Sequence, residues 1–187
     1  MSLNSLSLDK IADAISLHSL PPVHDWQPEC TRDVDIRIAR NGDWFYQGSR
    51  IDRARMVKLF STVLRVDDDN DTYLVTPQER LRIVVEDAPF TAVLVEQHGA
   101  PEAATLVFTT NVGDQVIADI DHPVCVEYAE PGGEPSPYVL VRDRLRALIS
   151  RPVFYQLAEW AISRDGVLGV ESSGAFMRLS EREDSDE

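Results

Sequence analysis

An α+β fold is what this sequence predicts: two small, similar lobes of short, mostly antiparallel strands with three helices. Three observations predict it. The first is an internal echo. Residues 73–90 (YLVTPQERLRIVVEDAPF) and 138–154 (YVLVRDRLRALISRPVF) both open on tyrosine and a short apolar run, carry Arg-Leu-Arg, and close on Pro and Phe. Two copies are too few for a solenoid and fit a duplicated domain. The second is apolar–polar alternation in short runs punctuated by Gly, Pro, Asn and Asp, the pattern of half-buried strands. The third is a set of three stretches with apolar residues at helical spacing.

Taken in order, Leu8, Ile11, Ala12 and Ile15 predict an amphipathic helix over 8–17 with Ser7 as N-cap, and Pro21-Pro22 ends it. Val34, Ile36 and Ile38 alternate with polar neighbours as a strand. Asn41-Gly42 is a hairpin turn, Trp44-Phe45-Tyr46 its return strand, and Gly48-Ser49 the break after it. Asp52 is placed to cap a second helix whose apolar face is Met56, Leu59, Phe60, Val63 and Leu64. Asp67–Asp71 is an acidic, solvated loop. Strands follow over 73–76, 80–86 and 90–97, then 105–110, 115–119 and 124–128. In the second copy the Arg-Leu-Arg stretch is assigned to a strand by analogy with the first. Pro152 suits the first turn of a final helix with Phe154, Leu157, Ala158 and Ala161 buried. The expected domains are 1–90, an N-terminal α+β lobe, and 91–179, a β-rich lobe with the final helix. An acidic tail at 180–187 is expected to be disordered.

At 187 residues the chain is long enough to bury a core. No apolar run approaches a membrane span, and no secretory leader pattern opens the sequence. Cys30 and Cys125 lack metal-type spacing, and two isolated cysteines suit a reducing cytoplasm. A net charge of −14 argues against a nucleic-acid groove. The charge is uneven: residues 30–60 hold seven basic side chains to four acidic, and residues 142–151 four to one. Sixteen of the eighteen basic residues are arginine, which pairs bidentately with carboxylate and phosphate as lysine does not.

Familiar catalytic signatures are missing from the sequence. Asp67, Asp69 and Asp71 begin a calcium-loop spacing, but Thr72 and Gln78 stand where glycine and glutamate belong. Histidines 18, 24, 98 and 122 have no zinc spacing. There is no P-loop, G-x-G-x-x-G or G-x-S-x-G, and Ser172-Ser173-Gly174 reads as a turn. No cofactor or metal is expected. Trp44 and Tyr46 share a strand face; they are core, or a stacking platform if that face is open. Thr76 and Asn111 lie in turns, where binding groups concentrate.

The run IARNGDWFYQGSRIDRARMVKLFSTVL, then YLVTPQERLRIVVEDAPF, then TNVGD with a His-Pro beyond it, resembles a bacterial family known as domain of unknown function 1285. Arg32 departs from its pattern, standing where a glycine is expected. The resemblance implies an internally duplicated α+β protein, a C-terminal half superficially like pleckstrin-homology folds, a small-ligand site at the seam between halves, and a loose link to signalling.

The favoured expectation is a cytoplasmic ligand-binding or regulatory protein holding a nucleotide or other small anion between its lobes. Arg80, Arg82, Arg144 and Arg146 would neutralise the ligand, with Arg53, Arg55 and Lys58 in support, and Thr76 and Asn111 would orient it. Arg80 and Arg82 share a strand face, so pairing with surface acids is the competing outcome. One alternative is a protein-interaction scaffold. Another is a hydrolase using Glu79, Glu86 or Asp87, which requires those carboxylates to converge with a raised pKa or a metal.

Overall fold

The computed structural model describes residues 20–99, 104–130 and 133–180. The helix expected at 8–17 and the tail from 181 lie outside them. The chain divides into two compact units between Asp87 and Ala88.

The N-terminal unit is one six-stranded sheet with a single helix: β1 (Cys30–Ile38), β2 (Trp44–Tyr46), β3 (Ser49–Arg50), α1 (Ala54–Thr62), β4 (Leu64–Val66), β5 (Thr72–Val75) and β6 (Glu79–Val85). The strand order is β3-β2-β1-β6-β5-β4. All pairs are antiparallel except β1 with β6, which run parallel. The parallel pair follows from joining two three-stranded meanders through a long crossover that contains α1.

Period-two burial decides which face is inside. Leu81 and Ile83 of β6 are buried while the alternating Arg82 and Val84 are exposed. Ile36, Ile38, Trp44, Leu64 and Leu74 join the buried face, and α1 covers it with Leu59 and Phe60. The Phe60 ring lies 6.2 Å from that of Trp44. Each fully buried leucine here contributes about 2 kcal/mol. Trp44 is thereby core, and the stacking-platform alternative for it is excluded.

Three local expectations are corrected. Arg53, not Asp52, occupies the N-cap of α1, and no side chain caps it. The helix ends at Thr62, so Leu64 belongs to β4, a strand hidden in the helical spacing because its apolar residues continue the pattern. Gly48 does not end the β-structure: Gln47 (φ 49°) and Gly48 (φ 75°) form the tight turn joining β2 to β3. Positive φ at both central residues is the type I′ requirement, and glycine meets it without steric cost.

The C-terminal unit holds β7 (Phe90–His98), β8 (Thr105–Thr110), β9 (Gln115–Ile117), β10 (Val124–Tyr128), β11 (Pro135–Arg142) and β12 (Leu145–Ile149). It continues with α2 (Arg151–Glu159), β13 (Ile162–Arg164), β14 (Val167–Ser172) and β15 (Ala175–Arg178). Its large sheet has the order β10-β11-β12-β7-β8-β9, with β7 and β12 parallel. Strand for strand this repeats the first sheet: β1-β2-β3 correspond to β7-β8-β9, and β4-β5-β6 to β10-β11-β12. Two similar lobes are therefore present. The described residues contain two helices, and the third expected one, at 8–17, lies outside them.

Helix α2 buries Val153 and Leu157, while Ala158 is exposed and Phe154 half-buried, so its inner face is rotated from the expected one. Pro152 does sit in its first turn. The small sheet β13-β14-β15 lies outside the strands expected from the sequence. Two tight turns build it, Asp165-Gly166 and Ser173-Gly174, each with φ positive at both residues. Phe176 packs over Gly169, where a Cβ would meet the ring at 2.5 Å. Ser172, fully buried, ties this sheet to the larger one: its hydroxyl donates to the Ala118 carbonyl (2.5 Å) and accepts from the Leu106 N–H (2.8 Å).

Candidate functional site

The face of the N-terminal sheet opposite α1 carries the arginines. Register aligns Arg65 of β4, Tyr73 of β5, Arg82 of β6 and Asp33 of β1 in one row across four strands. Directly opposed residues share a face, so the row is continuous. Arg80 lies in the next row, between Val75 and Thr31.

The two ends of the acidic loop, Asp67 and Asp71, turn onto this face, while Asp68, Asp69 and Asn70 stay exposed as expected. Asp67 accepts from Arg65 Nε (2.5 Å) and Nη2 (3.0 Å) and from Arg80 Nη1 (2.6 Å). These guanidinium donors, Arg65 first, hold the Asp67 carboxyl below its usual range. Arg65 also donates to the carbonyls of Val23 (2.7 Å) and Trp26 (2.9 Å), anchoring the segment that precedes β1. Asp69 accepts from the Tyr73 hydroxyl (2.7 Å) and the Asp71 N–H (3.0 Å), and both bonds lower its pKa. Arg80 stacks on the Tyr73 ring at 4.9 Å and donates to Thr31 Oγ1 (2.7 Å).

Arg82 is placed differently. Its Nε donates to Asp33 Oδ1 (2.7 Å) and its Nη1 to Asp71 Oδ2 (3.2 Å), which raises its own pKa and lowers that of Asp33. Beside it β1 swells. Asp33 faces Arg82 and Arg37 faces Val84, so Val34, Asp35 and Ile36 oppose Ile83 alone. Extra residues in one strand bend it away from its partner. A groove of about 460 Å³ lies there, lined by Asp33, Val34, Asp71, Arg82, Val84 and Val85 among others. Arg82 and Asp71 are nearly half exposed and Asp33 is 74% exposed.

The remaining candidates have structural employment. Arg146 stacks on Tyr138 at 3.9 Å and pairs with Glu127. Arg144 is exposed in the β11–β12 turn, outside the strand assigned to it. The Thr76 hydroxyl is buried in its own turn, accepting from Glu79 N (3.1 Å). Asn111 accepts from the Thr91 N–H (3.0 Å) and fixes the end of β7. Arg53, Arg55 and Lys58 belong to α1 and its cap, on the side of the sheet away from Arg80 and Arg82. In the first lobe the echo thus places Arg80 and Arg82 side by side; in the second only Arg146 reaches the sheet face. Asp33, Asp71, Val34 and Val84 are not legible in the sequence as residues of one site, because only register reveals that they meet.

Glu79, Glu86 and Asp87 do not form an acid–base centre. Glu79 pairs with Arg32, Asp87 with Arg40 (3.1 Å), and Glu86 with Arg37. The Arg40 N–H and then Arg37 push the Glu86 pKa down, the opposite of what a general acid needs. Among the described residues, no group of three or more His, Cys, Asp or Glu side chains is placed to hold a metal ion. Nor is any helix there long and apolar enough to cross a membrane.

Five arginines repeat one device, an aromatic ring beneath the guanidinium and a carboxylate at its edge: Arg37 on Phe45 with Glu86, Arg80 on Tyr73 with Asp67, Arg142 on Phe90 with Asp114, Arg146 on Tyr138 with Glu127, and Arg164 on Phe176 with Glu171. A planar, delocalised cation does both at once, which gives the preference for arginine over lysine a structural use.

Comparison with known proteins places the chain. Residues 21–88 match the N-terminal domain of DUF1285, a domain of unknown function, and residues 89–179 match its C-terminal domain. A crystal structure of a DUF1285 family protein from Silicibacter pomeroyi DSS-3 is 45% identical, with a TM-score of 0.88 over 94% of this chain and 96% of that one. Another, from Shewanella baltica OS155, is 27% identical, with a TM-score of 0.53 over 67% of this chain and 91% of that one. A search of curated proteins finds no match. With both domain matches in sequence order, the chain belongs to the DUF1285 family.

Proposed function

We propose that this chain is a binding module for a small molecule bearing an anionic group, and that the groove beside Arg82 in the N-terminal lobe receives it. One observation carries the reading: a strand bulge opens a groove at the one arginine of the echo that lies in the sheet face with no ring beneath it among the described residues. Arg80 and Arg146 have their faces on tyrosines. Arg82 keeps hydrogen-bonding capacity toward the groove, and Val34, Val84 and Val85 offer apolar surface beside it. Five of the nine lining residues are polar or charged and four are apolar, so convergent polar groups and a non-polar surface, the two components of a small-ligand site, are both present.

The test is a two-dimensional amide NMR titration of the full chain with millimolar nucleotides, organic phosphates, carboxylic acids and amino acids. Saturable shifts at Asp33, Val34, Thr72 and Arg82–Val85, lost in Arg82→Ala with the remaining spectrum intact, support the reading. A panel in which no compound moves these amides overturns it.

A further inference from the structure

We infer that the ligand of this groove is a small zwitterion, an ammonium and a carboxylate on one aliphatic body of the kind a branched-chain amino acid presents. The inference rests on the groove being a binding site and goes on to specify what it selects.

A guanidinium has five N–H donors. Arg82 spends one from Nε on Asp33 and one from Nη1 on Asp71. Both donors of Nη2 and the second of Nη1 are left, a fork suited to one carboxylate. The acids are likewise half used. Asp33 bonds through Oδ1 and Asp71 through Oδ2, leaving Asp33 Oδ2 and Asp71 Oδ1 as acceptors on either side of the cation.

The charge balance then selects the ligand. Asp33, Asp71 and Arg82 give the groove a net charge of −1. A phosphate dianion approaching Arg82 meets two carboxylates that already neutralise it, and like charges at this distance oppose entry. An ammonium beside the free aspartate oxygens, with its carboxylate on the Nη2 fork, leaves every charge opposite its complement. The aliphatic part of such a ligand has Val34, Val84 and Val85 to cover; Val84 is 58% exposed.

Four probes titrated into the full chain, with groove amides followed by NMR, test this: leucine, leucinamide (no carboxylate), 4-methylpentanoate (no ammonium) and adenosine monophosphate. Leucine is expected to bind at least tenfold more tightly than either single-headed analogue and than the nucleotide. Asp71→Asn is expected to weaken leucine and strengthen 4-methylpentanoate, a reversal that mere loss of stability does not produce. If the nucleotide or an analogue binds the groove as well as leucine does, the zwitterion is overturned and the groove survives. If no probe moves the groove amides while the wider ligand panel does, the zwitterion alone falls; if neither does, both readings fall.

Discussion

In the N-terminal lobe, the helix interrupts the sheet between its two meanders; in the C-terminal lobe, the helix follows the last strand of the large sheet and the meanders join without one. The strand order is nonetheless the same in both. Pairing constrains every residue of a strand, whereas a helix need only find an apolar face to cover. Duplication therefore kept the wiring and let the helices differ.

The surfaces diverged more subtly. Tyr73 opposes Arg82, but Tyr138 opposes Leu148. Arg80 opposes Val75, two beyond the first tyrosine, and Arg146 opposes Leu140, two beyond the second. The structural partner of Arg80 is thus Arg146 and not Arg144, and each of the two stacks on its tyrosine. The register shift between Leu140 and Arg142 supplies one residue of the offset. Arg82 opposite Asp33 becomes Leu148 opposite Thr91, so the charged groove belongs to one lobe only.

Matched core truncations probe the shared wiring and carry the largest effects. Leu74 and Val139 hold corresponding positions and are fully buried. Leu74→Ala is expected to cost about 3 kcal/mol and Val139→Ala about 2 in denaturant melts, the difference reflecting the smaller side chain removed. Equal wild-type-like melts break the correspondence.

The stacked arginines come next. Arg80→Ala and Arg146→Ala are each expected to cost about 1 kcal/mol, since both side chains remain about one-third exposed. Lysine at either place should restore less than half of the loss, because it keeps charge without the planar stack. Full rescue by lysine would leave only electrostatics in the device.

Arg82→Leu gives the first lobe the residue of the second. Its melt is expected to shift by less than about 0.5 kcal/mol, as for other surface sites, while ligand shifts in the groove disappear. A large loss of stability would make Arg82 a structural residue.

Acid distinguishes the lobes most gently. Asp33, Asp67, Asp69 and Glu86 have lowered pKa values in the first lobe, against Asp119 in the second, among the described residues. A carboxyl depressed on folding stabilises above its unfolded value, 3.8 for aspartate and 4.5 for glutamate, and that stability is lost as pH falls through the folded value. Hydrogen exchange should therefore be unchanged between pH 7 and about pH 5 after correction for intrinsic rates. Below about pH 4 protection should fall first in the N-terminal sheet. Earlier loss in the C-terminal sheet would refute the assignment of the charge lattice.

By itself the sequence determined most strands of the two large sheets, the hairpin at Asn41-Gly42, the duplication and the alternation of β1, because period-two alternation and turn chemistry are local. It hid β4 behind an apolar run that continued the helix. The strands β13, β14 and β15 are not legible although the Asp165-Gly166 and Ser173-Gly174 turns are visible, because Gly169 interrupts the strand pattern of β14 between them. Tertiary structure alone decided that β1 and β6 run side by side, that Asp67 and Asp71 fold back onto Arg80 and Arg82, and that the bulge at Val34 opens a groove. Arg82 and Asp33 are 49 positions apart, the loop contacts join residues 11 and 13 apart, and a slip of two residues between β1 and β6 would part Arg82 from Asp33. Register is set by the packing of the whole sheet, which no local pattern encodes.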